Sequence, residues 1–469
     1  MPQIWGSRIA ATTAEKLLED IGLNVESPVC IKSSSTPDQL NDLLNLLIKR
    51  ARVINLNEVE LYFSGDVVNL EHCVSPRNEL EALHSVHEAI NNAVSSESCT
   101  IKNIKRKLQE ETVNRIHEVG NKFREETRVV GDSSVEKENK LLEWAIKNGM
   151  KTQLHIACVE GAGRGPIAKE DLKAGHVALE VPLSVIISSE FLHESDMLPI
   201  FQKVDGISEE TMLLLWSMKE KHNNESKFRL YFDTLPENFN TGLSFGIDAV
   251  MALDGTLLLD EIVQAKETCP HIMHYGRIDA STNSLKFSLS RTCFSGEQCF
   301  LSYGNFSSSH LLTFYGFLPR GDNPYDIIPL DIDAAEDEDS EDGPPASKWS
   351  SHMVRGTWLS KNHKIFHYGL PSPLLDHLRR ARNPTCQPNT STRELLEADL
   401  DVLGGLSSTF EGMMEALSHE NQEDRESAGW DVKLATEFKS LQRKIISSIL
   451  ASCDSGCKML ESELCKQRV

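Results

Sequence analysis

No run of apolar side chains in the 469 residues approaches the ~20 needed to cross a bilayer, so a helical membrane span is not expected. Basic residues are short: 48 Lys and Arg stand against 70 Asp and Glu, a net charge of −22. A field of that sign works against non-specific attraction to nucleic acid or to an anionic membrane, and neither is expected as a partner; a basic ligand suits it better. Residues 1–23 lack both a signal-peptide apolar core and the acid-poor bias of a transit peptide, since they carry Glu15, Glu19 and Asp20. The expected compartment is therefore cytosol or nucleus. A secreted disulfide framework is lacking too, because the 11 cysteines are odd in number and scattered, as reduced thiols are. Neither a phosphate loop closing on Gly-Lys-Ser/Thr nor a nucleophile elbow is expected, which weighs against a nucleotide triphosphatase or a serine hydrolase.

What is present is 40% hydrophobic and 25% charged, the balance of a globular chain with enough apolar side chains for roughly three domains of ~150 residues. Before residue 136, helices alternate with polar linkers. Leu40, Leu43, Leu44, Leu46 and Leu47 share one broad face of a helix over 39–52, and Ile104, Leu108, Val113, Ile116 and Val119 recur at helical spacing in a second over 101–128. The basic cluster Lys102, Lys105, Arg106 and Lys107 reads as a solvated helix face, with an acidic partner as the alternative. A third helix over 136–148 stops at Asn148-Gly149. Gly161 to Pro182 reads as a β-meander, 189–267 as largely helical, and 271–278, 285–289 and 298–303 as short strands. Asp331 to Asp342 runs into Gly343-Pro344-Pro345 as an acidic linker, and 371–464 is mainly helical, with separate helices expected at 392–403, 409–417 and 431–452.

Gly161-Ala162-Gly163-Arg164-Gly165 lets backbone approach a ligand closely. It is not a dinucleotide fingerprint, because Pro166–Ala168 reads as extended and Gly175 interrupts any crossover helix. Cys453, Cys457 and Cys465 on one helix lack a fourth ligand, and His271 and His274 point to opposite faces of a strand, so no metal is expected. The second informative segment is Gly296-Glu297-Gln298-Cys299-Phe300-Leu301-Ser302-Tyr303-Gly304-Asn305, followed by Leu311-Leu312-Thr313-Phe314-Tyr315-Gly316-Phe317.

In order and spacing these segments resemble the two ends of the SET domain found in relatives of the Rubisco large-subunit lysine methyltransferase. Leu142-Glu143-Trp144 resembles the helix leading into such domains, and Tyr231-Phe232-Asp233-Thr234-Leu235-Pro236 the core of their helical insert. The resemblance covers about residues 136–469 and implies an α+β fold: a SET-domain β-fold over 136–330 with a helical insert at about 188–267, the acidic linker 331–345, and a helical substrate-binding domain over 346–469. A helical extension over 1–135 has no counterpart.

The resemblance further implies methyl transfer from S-adenosylmethionine to a protein lysine, without a metal. The cofactor would lie against Ala162, Gly163, Arg164 and Gly165 and against Tyr315, Gly316 and Phe317. Tyr303 would be the catalytic residue at the end of the lysine channel, with Tyr275 lining it or serving as an ordinary strand tyrosine. Tyr315 and Phe317 have plain core aromatics as their alternative. Relatives in the chloroplast make that compartment the alternative, and histidine methylation or a non-catalytic docking module built on the C-terminal helices are the rival functions. The family pattern also carries an Asn-His pair ahead of the segment resembling Cys269-Pro270-His271; here Leu257–Glu267 runs through Thr268 directly into it. Weak cofactor binding is the expected consequence.

Overall fold

Thr36 starts the first long helix for a local reason. Its hydroxyl accepts from the Gln39 amide at 3.3 Å, the Gln39 carboxamide accepts from the Thr36 amide at 3.0 Å, and Pro37 fits the first turn, where no N–H partner is needed. The computed structural model describes residues 18–19, 35–64, 75–93, 99–122, 128–130, 135–160, 163–236, 238–267, 277–279, 282–289, 291–300, 303–330, 332, 349, 351–360, 369–382, 392–417 and 428–466. The N-terminal helices are α1 (Pro37–Ile54), α2 (Glu58–Ser64), α3 (Pro76–Asn92) and α4 (Cys99–Lys122). Helices α1, α3 and α4 bury Leu44, Ile48, Leu83, Val86, Leu108 and Ile116 in one core. Lys102, Arg106 and Lys107 are exposed on α4, and Lys105 donates to the carbonyls of Asn91 and Ala93, in keeping with a solvated face.

This bundle is fastened to the rest of the chain through buried polar groups. Glu60 of α2 accepts from Arg77 at 2.6 Å and from the Tyr325 hydroxyl at 2.8 Å, so three segments distant in sequence meet on one carboxylate. The Tyr62 hydroxyl lies 3.0 Å from His352 Nδ1 and accepts from the Met353 amide at 3.3 Å. The His352 and His377 rings lie 4.3 Å apart. Burial first, then His377 and Arg380, push His352 down to about 4.

That shift carries a stability prediction. A folded-state pKa below the ordinary 6.5 means that unfolded chains bind more protons between the two values, so stability is complete above pH 6.5 and falls as pH drops toward 4. The gap corresponds to about 3 kcal/mol at most. Urea melts from pH 7 to pH 4 are expected to show this loss in the native chain and a much flatter profile in His352→Gln; equal slopes in both would contradict it.

The β-rich part comprises β1 (Val129–Val130), α5 (Glu136–Lys147), β2 (Lys151–Thr152), β3 (Leu154–Val159), β4 (Gly163–Ala168) and β5 (Val177–Pro182). The expected meander over 161–182 is not formed. Instead β4 pairs with β3, from Leu154 opposite Ala168 to Val159 opposite Gly163, while β5 pairs with β2 and with β7 (Ser284–Ser288) in another sheet. The partner β3 gave little sequence signal because it does not alternate in burial: Leu154 and Val159 are buried and the four residues between them half-buried. The sheets run β1-β3-β4, β2-β5-β7-β6 with β6 at Arg277–Asp279, and β8-β9 with β8 at Ile327–Leu330 and β9 at His352–Arg355. Among the described residues of the strand expected over 298–303, Gln298 forms one bridge with Ile167, and Cys299, Phe300 and Tyr303 lie outside any strand. Residues 268–276, including Tyr275 and Cys269-Pro270-His271, lie outside the described residues, as does the acidic linker apart from Ile332.

Between the strands stand α6 (Glu190–His193), α7 (Leu198–Phe201), α8 (Glu209–His222), α9 (Arg229–Thr234), α10 (Ile247–Ala252) and α11 (Leu257–Glu267). Phe191, Trp216 and Phe228 form the core of this insert, and Trp144 of α5 meets Phe228 with ring centres 6.0 Å apart. The two segments singled out by resemblance around Trp144 and Tyr231 thus adjoin one cluster, beside a cavity of about 370 Å³ lined by Leu141, Trp144, Ile187, Phe228 and Tyr231.

After α12 (Ser308–Tyr315) come α13 (Ser372–Arg382), α14 (Thr392–Ala416) and α15 (Trp430–Lys466). The two helices expected over 392–417 are one. Val402, Leu403, Leu406 and Phe410 are buried in the cluster shared with α15, and that packing outweighs the poor helix propensity of Gly404 and Gly405. Helix α15 is long because it serves two cores: Ile445, Ile446 and Ile449 face the C-terminal cluster, whereas Ala435 and Phe438 pack with Ala249, Leu258, Ile262 and Leu312. It thereby braces the insert against α12. Cys453 is buried, Cys457 half-buried and Cys465 exposed, and no metal-holding group of three ligands occurs among the described residues.

Candidate active site

The glycines of β4 set the first wall. Gly163 has φ +69°, a left-handed conformation that disfavours side chains, and nothing lies within 4 Å of where a Cβ would stand. Gly165 is closed on its outer side: a Cβ would fall 2.7 Å from Gln298 Nε2. The Arg164 side chain is held away by a salt bridge to Glu138 of α5. Burial alone would raise the Glu138 carboxyl, but a hydrogen bond from its own backbone, then the hydrogen bond and charge of Arg164, hold it below its ordinary value. Gly161 and Ala162 lie outside the described residues.

The second segment runs beside the first. Cys299 N–H donates to the Pro166 carbonyl, Ala168 N–H to the Glu297 carbonyl and Gly296 N–H to the Ala168 carbonyl, each at 2.9 Å. The fold therefore pairs Gly296–Cys299 with Pro166–Ala168 at the end of the glycine strand, and the Gln298 side chain adjoins Gly165. Gln298 Oε1 is buried with no hydrogen-bond partner, next to Gly165. An orphaned buried acceptor beside the glycine strand fits a group that donates a hydrogen bond.

Tyr303, Tyr315 and Phe317 form one aromatic cluster. The Tyr303 ring meets Tyr315 edge-on at 5.0 Å and Phe317 at 5.3 Å. Burial, then the neighbouring Tyr315, push the Tyr303 hydroxyl up, so it stays protonated and able to donate. Helix α12 fixes this cluster from both ends. Ser307 caps it by accepting from the His310 amide at 3.2 Å, and the Asp326 carboxylate accepts from the Ser308 amide and hydroxyl at 2.6 and 2.7 Å. At the other end Gly316, φ +76°, forms the left-handed cap, and a Cβ there would stand 1.7 Å from the Asn240 carbonyl oxygen.

Several contributors were not singled out from sequence. Gln298 carried no signal beyond its place in the motif, and Asp326 none at all; Ser307 before an apolar helical stretch was a legible N-cap. Phe306 stacks on His310 at 4.3 Å and on Tyr315 at 6.2 Å, backing the cluster. One expectation needs correction: the nucleophile-elbow pattern does occur, as Gly242-Leu243-Ser244-Phe245-Gly246. It lies on a 3₁₀ turn with no strand before it, and the Ser244 hydroxyl donates to the Phe239 carbonyl at 2.5 Å, so it is not a strand-to-helix nucleophile.

Small sheets carrying a glycine strand, a helical insert, an aromatic segment closing on α12 and a trailing helical bundle define the SET class of fold. Comparison with solved structures gives the particular version. The SET domain of LSMT bound to lysine and AdoHcy superposes with a TM-score of 0.53, over 70% of this chain and 94% of that one, at 13% identity. Rubisco LSMT bound to sinefungin and monomethyllysine gives 0.51 with the same coverage. The chain therefore has the LSMT type of SET fold. No family model matches it. In sequence, 127 residues are 27% identical to the chloroplastic fructose-bisphosphate aldolase-lysine N-methyltransferase of Arabidopsis thaliana, 27% of this chain and 26% of that one. Another 27% identity, over 128 residues, is to the chloroplastic ribulose-1,5 bisphosphate carboxylase/oxygenase large subunit N-methyltransferase of Nicotiana tabacum, 27% of this chain and 25% of that one. A third relative is the actin-histidine N-methyltransferase of Rhinolophus ferrumequinum, 26% identical over 143 residues, 29% of this chain and 24% of that one. The matched stretch spans about a quarter of each relative's length.

Proposed function

We propose that this chain is an S-adenosylmethionine-dependent protein-lysine N-methyltransferase of the SET type. The observation that carries the reading is the aromatic cluster of Tyr303, Tyr315 and Phe317, a short way along the chain from Gly296–Cys299, whose backbone pairs with Pro166–Ala168 at the end of the glycine strand. Backbone of Ala162, Gly163, Arg164 and Gly165 would hold the cofactor from one side and Tyr315, Gly316 and Phe317 from the other. Arg164 contributes through its backbone, since its side chain is engaged by Glu138. The bound cofactor would supply an electrophilic methyl on a sulfonium. The residues of this chain do the rest. Ring faces and hydroxyls of Tyr303 and Tyr315 favour a nearby cation. A half-buried aromatic channel disfavours the charged form of an entering lysine, ordinarily of pKa ~10.4, and so helps it shed its proton. Tyr303, held by its two aromatic neighbours, orients the neutral amine along the line of attack; alignment is the main catalytic task in such a displacement. Tyr275 is kept as a second channel residue.

The domain division follows the same reading: the SET domain over 136–330 with its insert, the linker 331–345, and the helices of 346–469 presenting the protein substrate, whose basic target suits the net charge of −22. The exposed Ile247, Met251, Leu257 and Val263 around α10 and α11 support a SET core shortened after residue 267, and hence weak cofactor binding. The two plant relatives are chloroplastic, which supports that compartment over cytosol or nucleus; import of a fluorescent fusion into isolated chloroplasts decides between them. Incubating the chain with methyl-labelled S-adenosylmethionine and a lysine-rich protein extract, followed by amino-acid analysis, tests the reaction. Methyl-lysine supports the proposal. Methyl-histidine would favour the second reading, which rests on the actin-histidine relative. Stable capture of a protein partner with no transfer would favour a docking module built on α13–α15.

A further inference from the structure

Two thiols outside the aromatic cluster are placed as a pair by the backbone. Cys293 opens the turn that precedes the site: its N–H donates to the Leu172 carbonyl at 2.8 Å and its carbonyl accepts from the Leu172 N–H at 2.7 Å. Cys299 closes the turn, with its N–H pinned to the Pro166 carbonyl at 2.9 Å, and Glu297 N–H donates to the Phe294 carbonyl at 2.9 Å across it. The two sulfurs lie 3.2 Å apart. A disulfide needs about 2.05 Å, so roughly 1.2 Å of closure separates this contact from a bond.

We propose that Cys293 and Cys299 are a redox modification site, closing to an intramolecular disulfide under peroxide and reopening with a dithiol. Both thiols are buried, Cys299 at 8% and Cys293 at 1%, so a small oxidant reaches Cys299 first. Its sulfur attacks hydrogen peroxide, the O–O bond breaks, a sulfenic acid forms and one water leaves. The Cys293 sulfur then attacks the Cys299 sulfur; the S–S bond forms, the S–O bond breaks and a second water carries off the oxygen and the proton. In sum, two thiols and one peroxide give one disulfide and two waters. Closure draws on the turn that bears Gln298 against Gly165, so the modification acts where the glycine strand is backed. The inference stands on the thiol geometry and does not depend on the methyltransferase reading.

The test uses the full folded chain. The neighbouring Cys293 thiol and burial both push the Cys299 thiol up and slow its attack, so hydrogen peroxide is applied over a long time course, followed by alkylation, digestion and mass spectrometry. The expected result is one linkage between Cys293 and Cys299, two hydrogens lighter, reversed by dithiothreitol. In Cys293→Ser, circular dichroism confirming the fold, dimedone is expected to trap Cys299 as its sulfenic acid adduct. Cys293 and Cys299 both recovered as alkylated thiols while the exposed Cys99 and Cys465 are oxidised would overturn the proposal.

Discussion

Replacing Gly316 with alanine is expected to cost about 3–5 kcal/mol of stability and to abolish cofactor binding, for two reasons that add. The φ of +76° lies in the left-handed region, which costs an L-residue about 1–2 kcal/mol. Lack of space costs more: the new Cβ would stand 1.7 Å from the Asn240 carbonyl oxygen and 2.7 Å from its carbon, backbone atoms that cannot rotate aside. Either the end of α12 or the segment at Asn240 must move, and both carry the cluster, since Tyr315 and Phe317 flank the glycine. Gly304→Ala is the control. Its φ is similar, +70°, but nothing lies within 4 Å of the added Cβ, so only the conformational cost of about 1 kcal/mol is expected. Denaturant melts of the two variants check this; equal losses would show that the Asn240 contact is not what selects glycine at 316.

Tyr303→Phe is expected to lower the methyl-transfer rate by about 10²–10³-fold with little effect on folding, and it applies only if the proposed activity holds. The ring stays between Tyr315 and Phe317, so packing is retained. What is lost is a hydroxyl kept protonated by burial and by Tyr315, the group positioned to orient the amine. Cofactor affinity should change by less than about tenfold, because the ring face remains. Single-turnover transfer with labelled cofactor separates the two effects. A variant that transfers at the native rate would remove Tyr303 from the chemistry and leave it as a packing residue.

The sequence was most informative where order along the chain mattered more than pairing. The glycine segment and the Gly296–Phe317 segment were legible as motifs, and the structure pairs the start of the second, Gly296–Cys299, with Pro166–Ala168 at the end of the first. Helix α5 and the first part of α15 follow from apolar side chains in the sequence, whereas α15 runs on to Lys466, beyond the expected 452. Strand pairing was not legible: β3 does not alternate, and β4 and β5, adjacent in sequence, belong to different sheets because each finds a better partner elsewhere. The junction of the N-terminal bundle was also hidden. Tyr62 and His352, 290 positions apart, carry no local pattern that announces their contact. At Gly404 a local stop signal yielded to the packing of Phe410 and its neighbours, a contest that only the assembled core decides.

Everything proposed for the site requires that this SET fold hold S-adenosylmethionine between its glycine strand and its aromatic cluster. The decisive measurement is calorimetric titration of the purified chain with S-adenosylmethionine, beside Gly316→Ala and a version with the Asn-His segment restored before Cys269. Weak, saturable one-to-one binding to the native chain is expected, with none to Gly316→Ala and tighter binding to the restored chain. Absence of binding in both the native and the restored chain, each shown to be folded, would contradict the proposed site and leave the helical docking function in its place.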